Sequence, residues 1–403
     1  MTTLALSPDA QRRADWSTIS WVGLAHGTSH FFHLLLPPLF PVFAQSFGLS
    51  WAQMGLLVTV FYAVSGVGQA ISGFWVDRLG ARPALIAAMG FFALGALAAG
   101  LAQGYGGLVL AAALAGLGNA PMHPADFSIL NQRVDRARLG HAYSVHGISG
   151  NLGWSLMPVL AASVLAAGWH WRWVYAVAAL WALLMMAALV GQREALRTEP
   201  VRRAAAGPAE PHPFAFLRLP SIWLCFSFFL FTTAALAALQ SFAPAALAAL
   251  HKQDAATLSL VVTAYMLCSA LGMVLGGFWV GRSQRLERHI AWALSGAALL
   301  LVLAMVPGLP LGGAMALVAL AGLGTGLAGP SRDLLVKQSA PPGATGRVVG
   351  TVYSGLDLGF AVAAPLAGAL LDAGWPRGLF GFAAAALLLA LAAAQLVRRW
   401  TPR

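Results

Sequence analysis

Charged side chains are scarce in this chain: Asp, Glu, Lys and Arg make up 9% of its 403 residues, against 59% hydrophobic ones. An ordinary soluble domain carries about 25% charged residues, so a water-facing surface of usual composition cannot be built from this sequence. Cysteine is nearly absent too. Cys225 and Cys268 fall in apolar segments without metal-ligand or redox spacing, and read as small buried hydrophobes. There is no glycine-rich phosphate loop ending in Gly-Lys-Ser/Thr, so ATP-driven transport by this chain alone has no support. No nucleophile–base signature or edge-of-membrane acid cluster points to an enzyme. The first eighteen residues are polar and hold Arg12 and Arg13, without the apolar stretch and small-residue cleavage site of a signal peptide, and none is expected.

What the chain does have is long apolar blocks, such as Trp51–Val76, Tyr105–Leu130 and Met315–Val336. About 20 mostly apolar residues cross a bilayer as a helix, and lipid admits only helices or closed barrels. Barrel strands would alternate with period two; these blocks do not. The expected fold is therefore an all-α integral membrane protein. Its twelve spans are predicted at 19–44, 51–76, 83–103, 106–131, 141–167, 171–191, 221–247, 256–281, 289–307, 311–336, 347–371 and 376–397. Between these spans, 21 of the 24 Lys and Arg residues fall on one side, leaving Arg172, Lys252 and Arg377 on the other. The positive-inside rule then puts both termini in the cytoplasm of a bacterial-type inner membrane. The net charge of +11 is accounted for by this asymmetry, with the bilayer rather than nucleic acid as the partner. The expected organisation is a tail at 1–18, six-helix halves at 19–191 and 221–397, a Pro-rich cytoplasmic linker at 192–220 and a tail at 398–403.

The second half echoes the first at an offset of about 205 residues. GFWVDR at Gly73–Arg78 returns as GFWVGR at Gly277–Arg282, and AGLGNAPMHP at Ala115–Pro124 aligns with AGLGTGLAGP at Ala321–Pro330. Gly140, Asn151, Gly153, Gly168 and Trp169 face Gly346, Asp357, Gly359, Gly374 and Trp375. Six crossings separate the copies, so both keep one orientation and form pseudo-symmetric halves about the membrane normal.

The turn Gly73-Phe-Trp-Val-Asp77-Arg78-Leu-Gly80-Ala-Arg82 resembles the signature of the major facilitator superfamily. That resemblance implies a conformational switch at Gly73, Asp77, Arg78, Gly80 and Arg82, with side chains tying neighbouring helix ends together. The second copy keeps Gly277 and Arg282 but has Gly281 in place of the acid. The segments at His30–Leu57, MHPADFS at Met122–Ser128, and Leu139–Ala162 look like the fosmidomycin-resistance branch of the superfamily. It implies a transporter that exchanges solute for protons, with the first and fourth helices lining its cavity. In this chain Ala125 separates His-Pro from Asp126, and the branch's substrate is not carried across.

Ionisable residues inside a membrane are costly, about 2.5–3.5 kcal/mol for Asp at a helix centre on insertion scales, and mark pathways or relays. His26, His30 and His33 stand at i, i+4 and i+7 of the first span, and Asn119, His123 and Asp126 repeat that spacing in the fourth. Pro37 and Pro124 free carbonyls nearby, so both helices are expected to bend there. The functional reading is a proton and solute site built from two polar stripes, whose protonated histidines favour an anion. The alternative is that these side chains form hydrogen-bonded pairs that hold helices together. His146, Gly150, Gly153 and Met157 form a mostly small ridge on the fifth helix, read either as part of an exporter signature or as close packing. Asn151 and its repeat partner Asp357 are further pathway candidates, Tyr62, Gln69, Gln240 and Tyr265 possible liners, and Arg332–Asp333 a structural pair.

The expected function is alternating-access transport of a small solute or drug, proton-coupled and directed outward, by a monomer without cofactors or a resident metal. Proton-coupled import of an organic acid is the alternative. A divalent-metal transporter is a weaker one, because His26 and His33 lie about 10 Å apart along the helix axis, too far to share one ion.

Overall fold

With no water to satisfy them, the backbone groups of each apolar block bond within the block, and the block becomes a helix. The computed structural model describes residues 7–198, 215–253, 257–280, 285–339 and 345–400. Among the described residues there are helices and 3₁₀ turns and no strand. The first six spans are α1 (Pro8–His33) with α2 (Phe40–Phe47), α3 (Trp51–Leu79), α4 (Ala81–Leu101), α5 (Tyr105–Asn119) with α6 (Met122–Arg133), α7 (Leu139–Ala166) and α8 (Arg172–Gly191). The single turn α9 (Arg193–Leu196) follows. Then come α10 (Pro220–His251), α11 (Leu260–Val280), α12 (Leu286–Leu303), α13 (Leu311–Ser339), α14 (Thr345–Asp372) and α15 (Pro376–Trp400).

Eleven of these paths are long and apolar enough to cross a membrane. The twelfth, α1, has 26 residues, but its histidines and hydroxyl side chains keep its hydropathy low. It exposes Trp16 and Leu24, and the other described helices expose large apolar side chains such as Leu101, Trp292, Phe278 and Trp75. On a soluble protein such a surface would aggregate; here it is what lipid covers.

The first helix starts earlier than hydropathy predicts. Ser7 caps it, accepting from the Ala10 N–H, and the polar turns that follow are internally satisfied. Asp15 is fully buried, accepting from Arg138 at 2.5 Å and from Gln11 at 2.7 Å. Thr18 donates to the Ala195 carbonyl. A buried carboxylate held on both oxygens is tolerable where a lone one is not, and so residues 8–18 continue the helix instead of forming a loose tail.

Both expected bends are present. The α1 path leaves helical geometry after His33 and passes through a 3₁₀ turn at Pro37–Leu39. The fourth path breaks between Asn119 and Met122. Pro124 has no N–H for the Ala120 carbonyl, and the Ser72 hydroxyl supplies the missing donor at 3.0 Å. The repeat helix α13 carries Pro330 in the position of Pro124 and is unbroken. The difference lies at Pro121, whose counterpart Leu327 keeps its N–H: one proline bends a helix, two within one turn interrupt it.

Contacts gather the chain into two units, Met1–Leu35 with Val64–Met157 and His170–Arg203, and Leu36–Ala63 with Pro158–Trp169 and Ala204–Arg403. In the first, α4 packs on α5 and α8; in the second, α12 packs on α13 and α15. These are equivalent pairs in the internal repeat. The second unit includes the start of α3, which docks on the α14 end: the Trp51 and Ala52 N–H groups donate to the two carboxylate oxygens of Asp372 at 2.9 and 2.8 Å. Thr59 donates to the Ala361 carbonyl at 2.6 Å, and Tyr62 stacks on Phe360 at 4.1 Å.

Of the expected linker, residues 199–214 lie outside the described residues, as do Gly281, Arg282 and the side chain of Asp77. Asp372 satisfies two otherwise unpaired N–H groups at a helix start and lies at the positive end of its dipole. Asp372→Ala should therefore cost about 1 kcal/mol, read as a lowered thermal midpoint in detergent, with Asp372→Asn intermediate between it and the parent.

Candidate functional site

The first unit concentrates its buried polar side chains in one place. Buried there are His26, Ser29, His30 and His33 of α1, Asn119 at the end of α5, Asp126 of α6, His146 of α7 and Ser65 of α3, while His123 of α6 is half-buried. The cluster has a satisfied end and an unsatisfied end.

At the satisfied end, the Asn119 carbonyl oxygen accepts from Ser29 Oγ at 2.5 Å and from His33 Nε2 at 2.8 Å, while its amide donates to Ser65 Oγ at 2.8 Å. Trp154 Nε1 donates to His33 Nδ1 at 3.3 Å. His33 therefore carries its proton on Nε2 and uses both ring nitrogens, the arrangement of a neutral imidazole joining α1, α5 and α7.

At the other end, His146 Nε2 lies 3.1 Å from Asp126 Oδ2. Ser149 gives its hydroxyl proton to the His146 carbonyl at 2.8 Å, which leaves its oxygen to accept from His26 Nδ1 at 3.3 Å. His26 is thus protonated on Nδ1 and its Nε2 lone pair faces the interior. That atom, both ring nitrogens of His30 and Asp126 Oδ1 are buried without a hydrogen-bond partner. Buried polar atoms are ordinarily paired, and these four unpaired ones lie in one cluster.

The imidazoles touch one another. Ring centroids are 3.5 Å apart for His26–His146, 4.3 Å for His26–His30 and 4.5 Å for His30–His33; His123 stands 5.5 Å from His26 and bonds Gln69 at 3.1 Å through Nδ1. Two like charges 4 Å apart repel by about 4 kcal/mol at an effective dielectric of 20, so these rings cannot all be cations together. A proton on one ring therefore disfavours a proton on the next, and one carboxylate, Asp126, stands beside them.

The ridge on α7 makes this closeness possible. A Cβ on Gly150 would lie 2.7 Å from His30 Nδ1 and 3.0 Å from His26 Cε1, and one on Gly153 would meet the Gly27 carbonyl. Glycine there is a packing requirement of the site. Sequence reasoning missed Ser29, Ser65, Ser149 and Trp154; Ser29 falls between His26 and His33 on the same face of α1, a signal that was available.

Other expected residues go elsewhere. Asn151 donates to the Gly147 carbonyl of its own helix at 3.3 Å. Asp357 and Tyr62 belong to the second unit. There, Gln240 and Tyr265 line one small cleft, and Arg332 pairs with Asp333 at 2.9 Å and covers the Phe229 ring at 4.7 Å. Of the expected switch, Gly80 makes the one-residue turn between α3 and α4 at φ 86°, a conformation glycine adopts without strain. Arg82 donates to the Leu189 and Val190 carbonyls at the end of α8, while Arg78 is exposed and a Cβ on Gly73 would meet nothing within 4 Å.

The sequence profile of the Major Facilitator Superfamily matches residues 22–251 and 230–403, which together take in nearly the whole chain. The chain belongs to the Major Facilitator Superfamily. Among its relatives are the fosmidomycin resistance protein of Escherichia coli K12, 29% identical over 162 residues, and a probable 4-methylmuconolactone transporter of Cupriavidus pinatubonensis, 31% identical over 156 residues. These alignments cover 40% and 39% of this chain, and 40% and 36% of the relatives' own length. A putative multidrug resistance protein of Salmonella typhi is 33% identical over 132 residues, 32% of this chain and 28% of its own. Among solved structures, a bacterial homologue of the human lysosomal transporter Spinster, inward-facing and unoccupied, superposes with a TM-score of 0.76 over 98% of each chain at 16% identity, a likeness of fold. This superfamily member is a multi-pass membrane protein.

Gly150→Ala should force the His30 and His26 rings aside and lower stability by about 1–3 kcal/mol, measured as a shift in detergent melting. Gly140→Ala on the same helix, where a Cβ meets nothing within 4 Å, should be neutral or slightly stabilising.

Proposed function

We propose that this transporter exports a small anionic solute in exchange for protons by alternating access, from the cytoplasm across a bacterial inner membrane. The observation that carries the reading is the Asp126–His146 pair, buried with Asp126 Oδ1 unpartnered and His26 against it. A carboxylate placed so, in a protein covered by lipid, is expensive to keep and is of use if its charge state changes during the cycle. His146 and His26 lie beside it, His30 and His123 extend the group of rings that takes up and passes on the proton, while His33 and Asn119 hold the helices in register. When protonated, the same imidazoles are hydrogen-bond donors of positive charge, suited to a carboxylate or phosphonate.

Resistance proteins among the relatives favour outward transport, and a probable L-galactonate transporter of Escherichia coli K12 carries an organic acid in its name. The distribution of 21 Lys and Arg residues on one side supports cytoplasmic termini. Both homologous halves lie in one chain, and a monomer is the state proposed. Asp357, the repeat counterpart of Asn151, is read as a second polar contact for the solute, and the Gly73–Arg82 turn as the hinge region of the cycle.

The test is reconstitution in liposomes that hold a pH-sensitive dye, with an imposed pH gradient and a panel of a phosphonate antibiotic and simple carboxylates. The parent should show solute-triggered proton flux, reduced at least about a hundredfold in Asp126→Asn, a loss within the range for a proton-transfer group. His33→Asn, which keeps a donor toward Asn119, should retain most of it. Flux that survives in Asp126→Asn would remove Asp126 from the proton path.

A further inference from the structure

The axial spread of His26 and His33 excludes a metal site on α1 alone, but the fold assembles donors from three helices. One candidate ligand atom each from His26 (α1), Asp126 (α6) and His146 (α7) lies within 4.8 Å of the others, and all three residues are buried. We infer that His26, Asp126 and His146 form a binding site for a divalent transition cation of the zinc class.

Four features of the cluster suit such an ion. Two imidazoles and one carboxylate are a common three-ligand zinc set that leaves a fourth position open. The 3.1 Å between His146 Nε2 and Asp126 Oδ2 is close to the separation of about 3.3 Å that two ligands at 2.0 Å from a tetrahedral zinc would have. The His26 Nε2 lone pair and Asp126 Oδ1 are buried with no hydrogen-bond partner, so binding displaces no existing bond at those atoms; at His146 Nε2 the ion replaces the proton shared with Asp126 Oδ2, which is released to solvent. His26 is also oriented from behind: its Nδ1–H points to Ser149 Oγ at 3.3 Å, the outer contact that metal-bound histidines usually have. The His26 and His146 rings stack at 3.5 Å, and in this orientation a nitrogen of each already lies within 4.8 Å of the other and of an Asp126 oxygen. His123, half-buried, is grouped with His26 and His30 in a second set of close donors.

The choice of cation follows from the donors. Nitrogen-rich sites favour zinc, cobalt, nickel and copper over magnesium or calcium, which demand oxygen. A cation held here takes up the atoms of the exchange cycle, so zinc acts as an inhibitor of the transporter; that consequence rests on the proposed function, whereas the binding itself does not.

The experiment uses the full untagged chain in detergent, with zinc binding measured by equilibrium dialysis and calorimetry. One zinc per chain is expected, undisturbed by excess magnesium, with affinity lowered at least about tenfold in both Asp126→Asn and His26→Gln. Affinity should be unchanged in His170→Gln, a histidine exposed on the α7–α8 turn. X-ray absorption of zinc on the parent chain should report imidazole scattering from two histidines, and this holds the inference to account even where a variant fails to fold. No zinc bound, binding retained in both variants, or a spectrum with fewer than two imidazoles would each overturn it. Because dialysis requires no transport, a chain that couples solute to protons yet binds no zinc would overturn this inference alone. A chain that binds zinc at these residues but moves no solute would overturn the proposed function alone.

Discussion

Everything in the first unit is arranged around the cost of holding Asp126 and five histidines inside a bundle that lipid surrounds. A polar group taken out of water without a partner costs several kcal/mol, and the structure meets that cost at one end of the cluster and leaves it standing at the other. Asn119 ties His33, Ser29 and Ser65 into a closed network. A short distance away, Asp126 Oδ1, His26 Nε2 and the whole His30 ring have no such partners. A fold selected for stability alone would fill that end with apolar side chains, which is often neutral or better for a buried polar network. Keeping it polar is what the proposed exchange of protons and solute at this cluster would require.

The backbone serves the same purpose. Glycines on α7 let two histidine rings lie against a helix at contact distance, and two prolines interrupt the fourth path where the polar side chains gather. Ser72 takes over the carbonyl that Pro124 abandons, so the interruption leaves that group paired. In the second unit the equivalent helix α13 has one proline, no break and no histidine in the matching stretch. The two helices correspond in the sequence repeat, and the histidine cluster belongs to the first unit.

The spans were legible because lipid allows few solutions: an apolar block of the right length has to be a helix, and most predicted limits fall close to the observed ones. The start of α1 was not, since hydropathy cannot foresee that Asp15 will meet Arg138. The site was half legible. Periodicity put His26, His30 and His33 on one face, as found, but it treated Asn119, His123 and Asp126 as one stripe. The break at Ala120–Pro121 separates them, sending Asn119 to His33 and Asp126 to His146. The contact between Asp126 and His146 spans 20 residues of sequence and two helices, and nothing local announces which turn of α7 will face α6.

The central claim is that solute and protons bind to one coupled group, and calorimetry in two buffers of different ionisation enthalpy tests it most directly. For a carboxylate or phosphonate that the parent chain binds, the observed heat should depend on the buffer, reporting proton exchange on binding, and that dependence should be lost in Asp126→Asn. Tight binding by the parent with the same heat in both buffers would contradict the account.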